Sequence, residues 1–168
     1  MSSSLKRSIR YWTAGAGALA LVVAAPLLAH HSFASYDMNN TIVLTGVVTN
    51  VNPDANHLQI FFGEMTDDRH TVKKDKDGKY VLWAVDMAGA ASSAQEGVSV
   101  NAFPKGTVFS VALHPQRNGE TAGFREGPIF KCPMNAEGKG VPPAPGKHCD
   151  SVEGNVRVGQ GTLPTTGK

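Results

Sequence analysis

One β-branched stretch decides the fold: residues 41–51, TIVLTGVVTNV. Valine, isoleucine and threonine dominate it, and these residue types fit the pleated surface of a strand. Turn-forming residues stand on both sides, with Asn39-Asn40 before it and Asn52-Pro53-Asp54 after it. The stretch therefore predicts one long β-strand, in which Gly46 is expected to mark a bulge or a bend.

Four more segments, all later in the chain than this strand, have the composition of strands and end at turn signals. They are residues 57–62, 80–86, 107–113 and 124–131, the last interrupted by Gly127-Pro128. Residues 64–79 are polar and charged, and we expect an exposed excursion there. Residues 88–96 are small and alanine-rich, and they predict a short helix before the fourth strand.

The number and order of these elements predict the fold class. Five or six short strands with one inserted helix are typical of an all-β fold, and specifically of a small closed or partly open β-barrel resembling an OB-type fold. A β-sandwich is the alternative. Barrel architecture by itself carries no function.

The beginning of the chain has the features of an export signal. Three basic residues among the first ten precede an uncharged apolar run at residues 14–28, and small Ala29 stands at the expected cleavage site. The run is shorter than the about 20 residues of a spanning helix and contains Pro26, although an uncleaved anchor is an alternative. We expect residues 1–29 to be a cleaved signal peptide. The mature protein is then periplasmic or secreted, and it touches the membrane only through the signal segment before cleavage.

Cleavage changes the charge and the domain organisation of the chain. The whole sequence has 16 basic and 14 acidic residues, but 13 and 14 after removal of the signal. This balance provides no basic stripe for nucleic acid, so a nucleic-acid partner is not expected. We predict a β-barrel domain at residues 30–131, followed at residues 132–168 by an irregular, disulfide-clasped extension with a flexible tail.

The two cysteines of the chain, Cys132 and Cys149, are predicted to form a disulfide. Their even number suits an oxidising compartment, and the proline- and glycine-rich segment between them cannot build a core of its own. A metal site completed by His148 is the alternative, but the chain lacks a C-x-x-C pair.

Six short motifs follow one another along residues 30–119. They are His30-His31-Ser32-Phe33-Ala34, Tyr36-Asp37, Leu44-Thr45-Gly46-Val47-Val48, Trp83-Ala84-Val85-Asp86, Lys105-Gly106 and His114-Pro115-Gln116-Arg117-Asn118-Gly119. Together they make the chain similar to the domain of unknown function 6152 family, whose members are exported bacterial proteins. The resemblance implies a small exported β-rich domain and implies no activity.

The histidines give the sharpest chemical hypothesis. Cleavage after Ala29 would leave His30 with a free α-amine, and this amine and the imidazole Nδ1 could bind Cu(II). His57 or His114 would supply the third nitrogen, because one opens a predicted strand and the other closes one. The alternative is that His30 is a mobile terminal residue and that the other two are polar strand ends.

Two further residues are candidates for ligand binding. Trp83 could line a groove, although packing in the core is the commoner place for a strand aromatic. Arg117 could bind a carboxylate or a phosphate, or it could be a solvated loop residue. No catalytic sequence motif is present, so we predict a non-catalytic exported module that binds a small ligand or an envelope protein. A periplasmic copper-binding protein is one alternative, and an unrecognised enzyme is a second.

Overall fold

The computed structural model describes residues 33–53 and 56–164, which contain six strands, one α-helix and two short 3₁₀-helices, Phe33–Ser35 and Cys149–Ser151. The elements are β1 Ile42–Pro53, β2 Leu58–Glu64, β3 Leu82–Asp86, α1 Ala90–Gln95, β4 Val108–Pro115, β5 Ala122–Lys131 and β6 Val156–Val158. The predicted signal peptide and His30 lie outside these residues. Within the part of the chain that is described, no helix is long and apolar enough to cross a membrane.

The first five strands close into a barrel. β1 pairs antiparallel with β2 on one side and with β4 on the other, β2 pairs with β3, and β4 pairs with β5. A parallel pairing of β3 with β5 joins the two edges, from Ala84 opposite Ala122 to Asp86 opposite Phe124. This confirms the predicted small all-β barrel, with its short helix between β3 and β4. The sandwich alternative is wrong because one sheet closes on itself.

Alternation along the strands builds the inner core of the barrel. Ile60 and Phe62 on β2, Val85 on β3 and Phe109 on β4 are fully buried, because every second residue of a strand points to the same side. Three phenylalanine rings meet there edge to face, with Phe109 lying 5.0 Å from Phe62 and 5.9 Å from Phe103. The contact between Phe62 and Phe109 therefore joins β2 and β4, which are distant in sequence, inside the core.

Gly46 has a different role from the predicted one. The bulge of β1 lies between Val48 and Asn50, where the register with β2 shifts, and Gly46 keeps regular pairing. A Cβ atom at Gly46 would stand 2.2 Å from Cδ2 of Phe62. The expectation of a bulge at Gly46 is therefore wrong, and the glycine makes room for a core ring.

A second cluster lies on the outside of the barrel, where the extension covers β1, β4 and β5. Its buried members are Val43, Met65, Val108, Ala112, Phe130, Cys132, Cys149 and Leu163. The disulfide between Cys132 and Cys149 is present, as the sequence predicts. The extension is irregular over most of its length, but β6 pairs with β5. Leu163 is only 9 % exposed, although it falls in the segment expected to be a flexible tail.

Candidate functional site

Four directly paired residues form a row across the outer face of the barrel. Gln59 on β2 pairs with Asp86 on β3, Asp86 with Phe124 on β5, and Phe124 with His114 on β4. Directly opposed residues project to the same side of a sheet. Their side is the outer one, because the alternating neighbour Val85 points into the core. We call these four residues the outer row.

The N-terminal segment of the described chain, residues 33–41, lies over the outer row, and we call it the strap. The ring of Phe33 meets that of Phe124 edge to face at 5.0 Å, and the ring of Tyr36 lies 5.8 Å from it. The backbone carbonyl of Asn40 accepts a hydrogen bond of 3.0 Å from Nδ1 of His114. The strap thus covers three of the five strands at one face of the barrel.

Asp86 is the polar centre of this face. It is 9 % exposed, and its two oxygens accept hydrogen bonds from Tyr36 Oη and, at 2.5 Å, from Gln59 Nε2. Burial raises the pKa of the Tyr36 phenol well above its usual value, and the hydrogen bond and charge of Asp86 raise it further. Tyr36 therefore stays protonated into the alkaline range, and its hydrogen bond to Asp86 fastens the strap to β3.

Alkaline pH is expected to break the hydrogen bond between Tyr36 and Asp86. Because the folded-state pKa of Tyr36 lies above its unfolded value of about 10, the contact stabilises in full below that pH and is lost as the pH rises beyond it. Above about pH 10 we expect the free energy of unfolding to fall more steeply for the wild type than for Tyr36→Phe, as measured by urea unfolding. Tyr80→Phe is the control, because Tyr80 is exposed. Parallel pH profiles of the wild type and Tyr36→Phe would contradict the assignment.

The loop after β4 fixes the strap from the other side. Arg117 donates from Nε to the carbonyl of Tyr36 at 3.0 Å, and its amide donates to the carbonyl of Ser35 at 2.9 Å. Its Nη2 lies 3.8 Å from Oδ1 of Asp37. Residues of four of the motifs quoted above, at positions 33–34, 36–37, 83–86 and 114–119, therefore meet at this face of the barrel, which we call the strap face.

Trp83, the other predicted ligand residue, lies in different surroundings from Arg117. It is half-buried against the inner core, and its Nε1 donates to Oε2 of Glu64 at 2.9 Å. Trp83 therefore packs against the core, which was the alternative to lining a groove. Arg117, in contrast, holds the strap on the outer face. Ligand binding by either residue stays a prediction.

The two predicted copper ligands in the described chain contact different elements. His57 has its Nδ1 3.2 Å from the carbonyl of Met87 after β3. His114 donates to the strap, and its Nε2 lies 3.7 Å from Oε2 of Glu126. Residues 33–53 and 56–164 contain no group of three or more His, Cys, Asp or Glu that could hold a metal ion. Because His30 lies outside them, the copper site stays a prediction.

A second polar site lies between β1, the excursion after β2 and the extension, and the sequence did not indicate it. Arg69 is buried there, although it belongs to a polar run that predicts exposure. Burial lowers the pKa of the neighbouring His148, and the positive charge of Arg69 lowers it further, against an opposing effect of Asp150. No local pattern marks Arg69, because its backbone partner at Lys147 is distant in sequence.

Comparison with known proteins identifies a family. A model of the family of unknown function DUF6152 matches residues 18–125. The matched range ends within β5, so the disulfide and the extension lie beyond it. No curated protein and no solved structure matches the chain.

Proposed function

Because the chain belongs to the family of unknown function DUF6152, we propose that it is an exported, non-catalytic module that binds an envelope protein or a small ligand at the strap face. The observation that carries the proposal is the meeting of residues from four motifs at the outer row. In OB-type barrels the face of the second and third strands, with the loops beside it, is the usual binding surface. Here that face carries Asp86, Gln59 and the loop containing Arg117.

The strap face also offers apolar contact area beside its polar centre. Phe33 is 58 % exposed although it stacks on Phe124, and Leu82, at the start of β3, is also exposed. Exposed aromatic and aliphatic groups around a buried polar residue are the composition of a binding surface. These contacts support binding, and the absence of any catalytic motif in the sequence supports a non-catalytic role.

A two-part experiment tests this proposal on the full chain expressed with its N-terminus. Native mass spectrometry of protein from the periplasmic fraction reports the mature start, expected at His30, and the mass of any bound species. A photo-crosslinking residue at position 82 is expected to capture a partner, and the same residue at exposed position 76 serves as the matched control. Retention in the cytoplasm would contradict export. Equal crosslinking at both positions, with no bound mass, would contradict binding at the strap face.

Copper binding through His30 is the second candidate function, and one contact favours it. The strap holds Phe33 against Phe124, whose paired neighbour is His114. Three residues of extended chain span about 10 Å, so a terminal His30 is within chain reach of that neighbourhood. Titration of the mature protein with Cu(II) is expected to show tight stoichiometric binding that is lost in His30→Ala. His57→Ala and His114→Ala identify the third ligand, and unchanged affinity in His30→Ala would exclude the site.

A further inference from the structure

Arg69 is a buried cation whose charge is only partly compensated by acidic residues. It is 6 % exposed, and it donates from Nε to the carbonyl of Lys147 at 2.9 Å and from Nη1 to that of Thr66 at 3.2 Å. None of the ion pairs among the described residues includes it. Burial lowers the pKa of Arg69, and the charges of Asp67 and Glu64 oppose this only in part. Because a buried charge costs free energy unless it is paired, a bound anion would stabilise Arg69.

A chain of hydrogen bonds ends at Nδ1 of the neighbouring His148. The amide of Cys149 donates to Ser110 Oγ at 2.9 Å, Ser110 Oγ lies 2.7 Å from Thr45 Oγ1, and Thr45 Oγ1 lies 2.8 Å from His148 Nδ1. Every group of this chain is satisfied when Ser110 donates to Thr45 and Thr45 donates to Nδ1. In that arrangement neutral His148 carries its proton on Nε2, which takes no part in the chain.

Two hydrogen-bond donors in the same cleft have no acceptor among the described residues. The Nε2–H of His148 and the Nη2 group of Arg69 have no acceptor in the described part of the chain. No buried side-chain nitrogen or oxygen there lacks a partner, so both groups reach solvent. Both residues line the same cleft of about 310 Å³, between β1 and the extension. We call it the Arg69 cleft.

We propose that the Arg69 cleft binds a small organic anion through its carboxylate. A carboxylate has two oxygens, and these can accept from the open Nη2 group of Arg69 and from the Nε2–H of His148. The rim carries exposed Asp67 and also Glu64, which is already paired with Lys73 at 3.0 Å. This acidic rim disfavours multiply charged anions such as phosphate.

The Arg69 cleft is separate from the strap face, so the proposal does not depend on the proposed function. His148 belongs to the extension, beyond the residues 18–125 that match the family. Arg69 and Thr45 belong to the matched barrel. The extension therefore completes a binding site whose other half the barrel provides.

Titration with sodium acetate, followed by NMR at constant ionic strength, tests the assignment on the mature oxidised protein. We expect saturable shifts of the His148 ring signals, and weaker binding of inorganic phosphate. Asp67→Asn is expected to strengthen acetate binding about two- to fivefold, because it removes a repulsive surface charge. Arg69→Lys is expected to weaken it about tenfold, because a lysine ammonium cannot reproduce the fork that donates to Lys147 and Thr66 and still leaves Nη2 for the cleft. Arg157→Lys, on exposed β6, is the control and should leave the affinity unchanged.

The variants separate binding from folding. Asp67 is exposed, so Asp67→Asn is expected to fold as the wild type does and stays informative even if Arg69→Lys does not fold. A stronger affinity for acetate in Asp67→Asn, with no change in Arg157→Lys, supports the site. Phosphate binding tighter than acetate would overturn the carboxylate assignment, and so would weaker acetate binding in Asp67→Asn. Absence of saturable shifts in both the wild type and Asp67→Asn would overturn the site itself.

Discussion

Replacement of Phe109 by alanine is expected to lower the free energy of unfolding by about 4 kcal/mol, which lies within the range for buried phenylalanines. Phe109 is fully buried on β4, between the rings of Phe62 and Phe103. Truncation removes its apolar surface from the core and leaves a cavity. Because β4 is hydrogen-bonded to β1 and β5 in a closed barrel, the surrounding strands cannot move far to fill that cavity. Urea unfolding of the oxidised protein measures the loss.

Phe33→Ala is the matched control for this loss. Phe33 also meets another phenylalanine edge to face at 5.0 Å, but it is mostly exposed. An aromatic pair alone contributes about 0.5–1.5 kcal/mol, so we expect Phe33→Ala to cost at most about 1 kcal/mol. Similar losses in Phe109→Ala and Phe33→Ala would contradict the view that burial in the barrel, rather than ring contact, dominates the stability.

The strands could be predicted because their signals are local. β-branched residues between turn formers marked β1 within two residues of its observed ends, Ile42–Pro53. The three-residue strand β6 has no such signal. It forms because β3 pairs only with Ala122–Phe124 of β5 and leaves the edge at Ile129–Lys131 free for β6, and no local pattern shows how far two strands overlap.

Contacts between residues distant in sequence could be predicted only where the sequence allows a single pairing. With two cysteines there was one possible intramolecular disulfide, and the structure contains it. The contact of Tyr36 with Asp86 joins positions 50 residues apart, and that of Arg69 with Lys147 joins positions 78 apart. No periodicity in the sequence connects such positions, because the partners are brought together by barrel closure and by the path of the extension.

Reduction of the Cys132–Cys149 disulfide is expected to lower the free energy of unfolding by about 3 kcal/mol. The two cysteines are 17 residues apart, and the cross-link removes the entropy of closing this loop from the unfolded chain. The intervening prolines and glycines form no strand or helix of their own, so the disulfide holds a segment that has few other restraints. Urea unfolding with and without reductant measures the effect.

The double variant Cys132→Ala/Cys149→Ala is the control for the reductant. Its stability is expected to be lower than that of the oxidised wild type and unchanged on addition of reductant. A loss below about 1 kcal/mol on reduction of the wild type would contradict the loop-closure argument. A reductant effect on the double variant would show that the change does not arise from this disulfide.

We expect reduction of the disulfide to destabilise the extension and to leave the barrel folded. The inner core contains neither cysteine, whereas the outer cluster contains both. Release of Cys149 also frees its amide from Ser110 and with it the hydrogen bonds that orient His148. In reduced protein we therefore expect faster amide exchange at Cys149 and loss of acetate binding, while amides of β1 and β4 stay protected. Loss of protection at the core amides together with Cys149 would contradict this expectation. It would show that the barrel and the extension unfold as one cooperative unit, and that the barrel of residues 33–131 is not stable without the disulfide.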